Sequence, residues 1–158
     1  MANSTPVPTM STNSIEKQIV LRAPKARVWR ALTDTAEFGT WFGVRLEGPF
    51  EVGKPVRGRI THPGYEHVAF EMVVERMDPQ TLFSYRWHPY AVEPGVDYST
   101  EPTTLVEFRL EDAEGGTMLT LVESGFDRIP PHRRAEAFRM NDQGWTQQMD
   151  NIRRHVEA

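Results

Sequence analysis

The sequence has no cysteine, and that one absence removes disulfides, thiolate nucleophiles, zinc-thiolate sites and cysteine-ligated iron–sulfur clusters together. It has no apolar run approaching the ~20 residues of a membrane-spanning helix, so no membrane insertion is expected. It has no excess of positive charge. A formal net charge of −4 argues against a broad nucleic-acid-binding surface. A phosphate-binding glycine loop is missing, and Ser124-Gly125 is not set in a nucleophile-elbow pattern. His62, His67 and His88 have glutamates nearby, but their spacing matches no metal-ligand motif. They read as separate surface histidines, and no cofactor is implied. Residues 1–13, MANSTPVPTMSTN, have neither a basic start nor an apolar stretch. They read as a disordered tail rather than a signal peptide, ahead of one domain over residues 14–158, with the cytoplasm as the default location.

What is present is clearest at the C-terminal end. From Pro130 to Ala158, Phe138, Trp145, Met149, Ile152 and Val156 follow the helical repeat, while Arg133, Arg134, Arg139, Gln147, Asp150, Arg153 and Arg154 fall mostly between them. This is one long amphipathic helix with a single buried stripe. Ile129-Pro130-Pro131 suits its start, because a proline in the first turn gives up only an amide that lacks an intrahelical partner. The stripe is interrupted at Asn141, Asp142 and Gly144. Either a kink separates two helical segments, with Asn141 or Asp142 capping the second, or something polar faces inward at mid-helix.

Upstream, Ile15 to Arg22 alternates as a half-buried strand, and Lys25 to Leu32 changes to a helical period that Pro24 can start. Asp34-Thr35-Ala36-Glu37 is a capping-box-like signal for a second short helix carrying Phe38, Trp41 and Phe42 on one face. Strands follow at Val44 to Glu47, Val56 to Thr61, His67 to Met77, Thr81 to His88, Thr103 to Glu111 and Thr117 to Ser124. Their inward faces carry Val68, Phe70, Met72 and Val74, then Phe83, Tyr85 and Trp87, then Thr104, Val106, Phe108 and Leu110, and finally Leu119, Leu121 and Glu123. Pro89 to Pro102 is long for a connection and is either a lid over a cavity or a decorated hairpin. A sheet with one apolar face needs a cover, and the terminal helix is the element long enough to supply it.

Six pieces in this order carry a resemblance: RAPKARVWRALTD from Arg22 to Asp34, Trp41-Phe42, Phe50-Glu51-Val52-Gly53, TLVEFRL from Thr104 to Leu110, GGTMLTLVESGF from Gly115 to Phe126, and Gly144-Trp145. Together they resemble the START/Bet v-like (SRPBCC) helix-grip superfamily, and within it the bacterial homologues of the activator of heat-shock-protein ATPase. The resemblance implies an α+β helix-grip fold. A curved antiparallel sheet of about seven strands wraps around the long C-terminal helix, with two short helices after the first strand. It also implies a cavity between sheet and helix. Trp41, Phe70, Tyr85, Trp87, Val106, Phe126, Phe138 and Trp145 are the inward residues expected around it, with plain core packing as the competing role of each. Glu123 and Asn141 join them because each breaks an apolar face. Glu123 either pairs with a cation, for example Arg86 at a sheet edge, or sits unpaired in the cavity.

Three functions fit. The leading one is non-catalytic binding of a small hydrophobic or aromatic molecule, lipids included, in that cavity. The second is an enzyme, a cyclase or hydrolase, acting on such a ligand with Glu123 as acid or base. The third is a protein-interaction module of the heat-shock ATPase activator type, which would bring a chaperone partner. Relatives of this fold differ in activity, so the name alone carries no role, and the oligomeric state is not legible.

Overall fold

The computed structural model describes residues 13–158. The expected tail therefore lies, Asn13 excepted, outside the described residues. The Asn13 carbonyl accepts backbone hydrogen bonds from Gly125 and Phe126 at 3.0 and 3.1 Å.

Strand β1 (Ser14–Leu21) gives way at Pro24 to helix α1 (Lys25–Thr33), and Asp34 starts α2 (Thr35–Phe42). The Asp34 side chain accepts from the Glu37 amide at 3.0 Å, which is the forward half of the capping box. The return half does not form. Glu37 instead meets Arg27 at 2.6 Å, Arg30 at 2.7 Å and His155 at 2.9 Å, joining α1, α2 and the C-terminal helix. Gly43 ends α2 with φ 89°, a left-handed cap that costs glycine nothing. Strands β2 (Val44–Glu47), β3 (Pro55–Ile60), β4 (Ala69–Asp78), β5 (Leu82–Trp87), β6 (Thr104–Ala113) and β7 (Gly116–Ser124) follow. A short 3-10 turn at Phe126–Arg128 then leads to α3 (Pro131–Glu157).

The seven strands form one curved antiparallel sheet in the order β1-β7-β6-β5-β4-β3-β2. Strands β2 to β7 are a meander, and β1 returns to pair with β7 from Ser14↔Ser124 to Leu21↔Thr117. The register puts Tyr85, Val106 and Glu123 in one row across β5, β6 and β7, with Trp87 and Thr104 in the next. This alternation is the one read from the sequence, and it aims all five at the face that α3 covers.

Helix α3 is continuous for 27 residues, about 40 Å at 1.5 Å per residue. Its stripe buries Ala137, Trp145, Met149, Ile152 and Val156. No second segment starts at Asn141 or Asp142. Asp142 pairs with Lys17 at 2.9 Å, while Asn141 faces the sheet, so the interruption of the stripe is a polar group pointing inward. No described helix is long and apolar enough to cross a membrane.

Candidate functional site: a buried carboxylate behind an aromatic groove

Glu123 is fully buried near the end of β7. Its Oε2 accepts from Thr104 Oγ1 at 2.6 Å and Trp87 Nε1 at 2.7 Å. Its Oε1 accepts from Trp145 Nε1 at 2.7 Å and Asn141 Nδ2 at 3.0 Å, with a second contact of that amide to Oε2 at 3.2 Å. Trp87 and Thr104 reach it because they are cross-strand partners on β5 and β6. Asn141 and Trp145 reach it because residues four apart lie on the same helical face.

Both expected states of this carboxylate are therefore replaced by a third. It has no cation, since Arg86 pairs with Glu75 at 2.6 Å. Nor is it unpartnered, because four neutral donors surround it. An indole N–H can only donate, so at least two of the partners require an acceptor here. Burial pushes the carboxyl above its ordinary value, and the bonds from Thr104, Trp87, Trp145 and Asn141 pull the other way without cancelling it. In the same row, the Tyr85 hydroxyl is buried with no hydrogen-bond partner among the described residues. Burial first, and the Glu123 charge second, hold its pKa well above the usual phenol range.

The middle of the space between sheet and helix is occupied by rings. Phe38, Phe83, Tyr85 and Phe108 are at most 1% exposed. They pack edge-on, tilted or stacked, with Phe38–Tyr85 and Phe83–Phe108 centroids 6.4 Å apart. The open volume lies toward one end instead. A groove of about 460 Å³ runs between the β3–β4 side of the sheet and the segment 88–98, with Phe42, Phe70, Trp87, Tyr90 and Tyr98 among its walls. A smaller cleft of about 140 Å³ opens beside α3 at Phe42, Trp87, Asn141, Gly144, Trp145 and Gln148. Phe42 and Trp87 belong to both. With Trp145 they form a triangle of rings with centroids 5.7–6.0 Å apart.

Several bonds set this geometry. The Gln148 amide donates to the Phe42 carbonyl at 2.7 Å, tying α3 to the end of α2. The groove's outer wall is pinned by His67 Nε2 on the Val92 carbonyl at 3.3 Å and His88 Nε2 on the Glu101 carbonyl at 3.0 Å. A carbonyl only accepts, so both rings carry their proton on Nε2. Arg133 of α3 donates to the Pro89 carbonyl and to Glu101, both at 2.8 Å. Among the described residues no group of three or more His, Asp and Glu side chains gathers as a metal centre would need.

Of the ten site residues expected from the sequence, the structure brings together Trp87, Glu123, Asn141 and Trp145. Phe70 joins them through Trp87, with ring centroids 5.7 Å apart. Trp41, Tyr85 and Val106 are buried in the packed middle, and the Trp41 indole donates to the Ala31 carbonyl at 2.8 Å. Phe126 and Phe138 pair with each other at 5.1 Å near the start of α3 and line neither opening. Thr104 and Phe42 were not singled out. Thr104 carried a signal as the lone hydroxyl of its inward row. Phe42 carried one as a member of the apolar face it shares with Phe38 and Trp41.

A family model described as "Activator of Hsp90 ATPase homolog 1-like protein" matches residues 22–157. No curated protein matches the chain. Solved structures are similar in fold. Protein MLL2253 from Mesorhizobium loti has a TM-score of 0.72 and 20% identity, covering 91% of this chain and 96% of that one. The Aha1 dimer from Colwellia psychrerythraea, solved in solution, has a TM-score of 0.66 and 16% identity, covering 89% and 92%. DynU16, a putative protein in the dynemicin biosynthetic locus, has a TM-score of 0.70 and 24% identity, covering 92% of this chain and 48% of that longer one. At these identities the likeness carries the fold alone.

Proposed function

The chain belongs to the activator of Hsp90 ATPase homolog 1-like family, and from that premise we propose that it binds a small hydrophobic or aromatic molecule in the groove beside Trp87. The observation that carries this reading is a groove of about 460 Å³ walled by aromatic side chains, within the roughly 300–1,000 Å³ of small-molecule sites. Glu123 supports it from behind. By taking both indole N–H groups, it turns the polar edges of Trp87 and Trp145 inward and leaves ring surface for the groove and the cleft. Both of its oxygens are engaged, so it fits a positioning role better than proton transfer. The exposed large apolar side chains among the described residues are four valines, Val20, Val52, Val73 and Val96, with no exposed aromatic ring or leucine of the kind that anchors a protein partner. The chaperone role in the family's name is not transferred, since sequence likeness at this level speaks for the fold.

The test is a ligand panel of flavonoids, polycyclic aromatics and fatty acids, read by tryptophan fluorescence and thermal melting. A true ligand at a hundredfold excess over its Kd stabilises the fold by about 2.7 kcal/mol. Ala91→Trp, which fills the groove from its outer wall, should abolish that response while leaving the unliganded melt near the parent's. If no compound shifts the melt, or if Ala91→Trp responds as the parent does, the reading fails.

A further inference from the structure

Resting on that binding reading, the charge of the bound molecule can be inferred from what surrounds the groove. Its walls carry the carboxylates of Glu71 and Glu93 and neither lysine nor arginine. Glu71 is matched by Arg57 at 2.5 Å, while Glu93 stands exposed on the rim. Five aromatic side chains line the same space. The faces of such rings are electron-rich and attract cations. The protein already uses one of them in this way: the Arg133 guanidinium lies 4.7 Å from the Tyr98 ring centroid. That guanidinium is balanced by Glu101 at 2.7 Å, so it adds no free positive charge to the groove. Behind the Trp87 wall, the Glu123 carboxylate is met by hydrogen-bond donors that are all neutral. The Tyr90 wall feels Glu93 and Glu136 as well as the exposed Arg139 of α3, so carboxylates outnumber cations around the groove.

We propose that the groove selects a ligand whose aromatic or aliphatic frame carries a positively charged nitrogen, such as an alkylammonium or quaternary ammonium group, and discriminates against carboxylates of the same size. Fatty acids are then the poor members of the panel above. The Trp87 and Phe42 rings receive the cationic end, and Glu93 on the rim supplies the field that favours it.

Phenyltrimethylammonium and tert-butylbenzene share one shape and differ in the charged atom. Each is titrated into the full chain at pH 7 and followed by tryptophan fluorescence. The expected result is binding of the cation at least about tenfold tighter, equivalent to about 1.4 kcal/mol, with Glu93→Gln reducing that ratio. Equal affinity, or tighter binding of tert-butylbenzene, overturns the charge inference and leaves the binding reading standing. If neither probe binds, the inference is overturned, and the neutral members of the panel show whether the binding reading falls with it.

Discussion

Glu123→Gln separates the donor-satisfied carboxylate from every other account of that residue. The substitution preserves volume and replaces one oxygen by an NH₂ group. If the nitrogen takes the Oε2 position, Thr104 can rotate to accept from it, but the Trp87 indole 2.7 Å away then faces a donor. If it takes the Oε1 position, Asn141 can flip to accept, and the Trp145 indole, also 2.7 Å away, is stranded. Either way one buried indole N–H loses its acceptor, at about 1–3 kcal/mol. Hydrogen bonds to the remaining amide oxygen are also weaker than those to a carboxylate. Removing a desolvated charge offsets part of this, leaving a net loss of about 2 kcal/mol. For a chain of this size that lowers Tm by about 4–8 °C. The assay is thermal and urea unfolding near neutral pH, followed by near-ultraviolet circular dichroism. A variant as stable as the parent, or more so, would refute the reasoning, because it would mean that the four donors do not depend on the carboxylate.

Three further outcomes are expected. Truncation after Gln143 removes Trp145, Met149, Ile152 and Val156, all buried; at about 1.5–3 kcal/mol each their loss rivals the stability of a domain, and the fragment should show no cooperative melt or dispersed amide spectrum. Burial pushes the Glu37 carboxyl up, but hydrogen bonds from His155 and Arg27 and the charges of Arg27 and Arg30 outweigh it and hold it at about 2; its folded value is below the unfolded value near 4.5, so its stabilisation is present above 4.5 and lost as pH falls toward 2, and Glu37→Gln should flatten the stability profile in that window. Glu123 has the opposite sign: its folded value is raised above 4.5, so its contribution is full below that pH and declines as pH rises through the folded value, and the parent's advantage over Glu123→Gln in urea unfolding should narrow upward from about pH 4.5.

Much of this was legible in the sequence because it depends on periods of two and 3.6 residues. Glu123 lies inward because Leu119 and Leu121 do, and Asn141 lies inward because a polar residue stood where the stripe required an apolar one. What the period could not supply is convergence. Nothing in the spacing says that Trp87, Thr104, Asn141 and Trp145 close on one carboxylate; that follows from the β5–β6 and β6–β7 registers and the path of α3 over them. The cavity was expected between sheet and helix, yet Phe38, Phe83, Tyr85 and Phe108 fill the middle of that space, since inward-facing rings either pack together or leave a void that costs stability. The groove arises where the segment 88–98 stands away from the sheet, and its aromatic residues follow no period. Glu37 shows the same limit, because its capping-box position was readable while its tie to His155, far along the chain, was not.

The central claim is that the groove beside Trp87 binds an aromatic molecule while Glu123 holds the tryptophan in place. The most direct measurement is a proton–nitrogen NMR titration with the tightest neutral aromatic compound of the panel, following the four indole N–H signals and the backbone amides. The Trp87 indole and the non-proline amides of residues 88–98 should shift together and saturate, while the Trp41 indole, bonded to the Ala31 carbonyl, stays still. Shifts centred on the Phe126–Phe138 end, or spread over the surface without saturating, would contradict it.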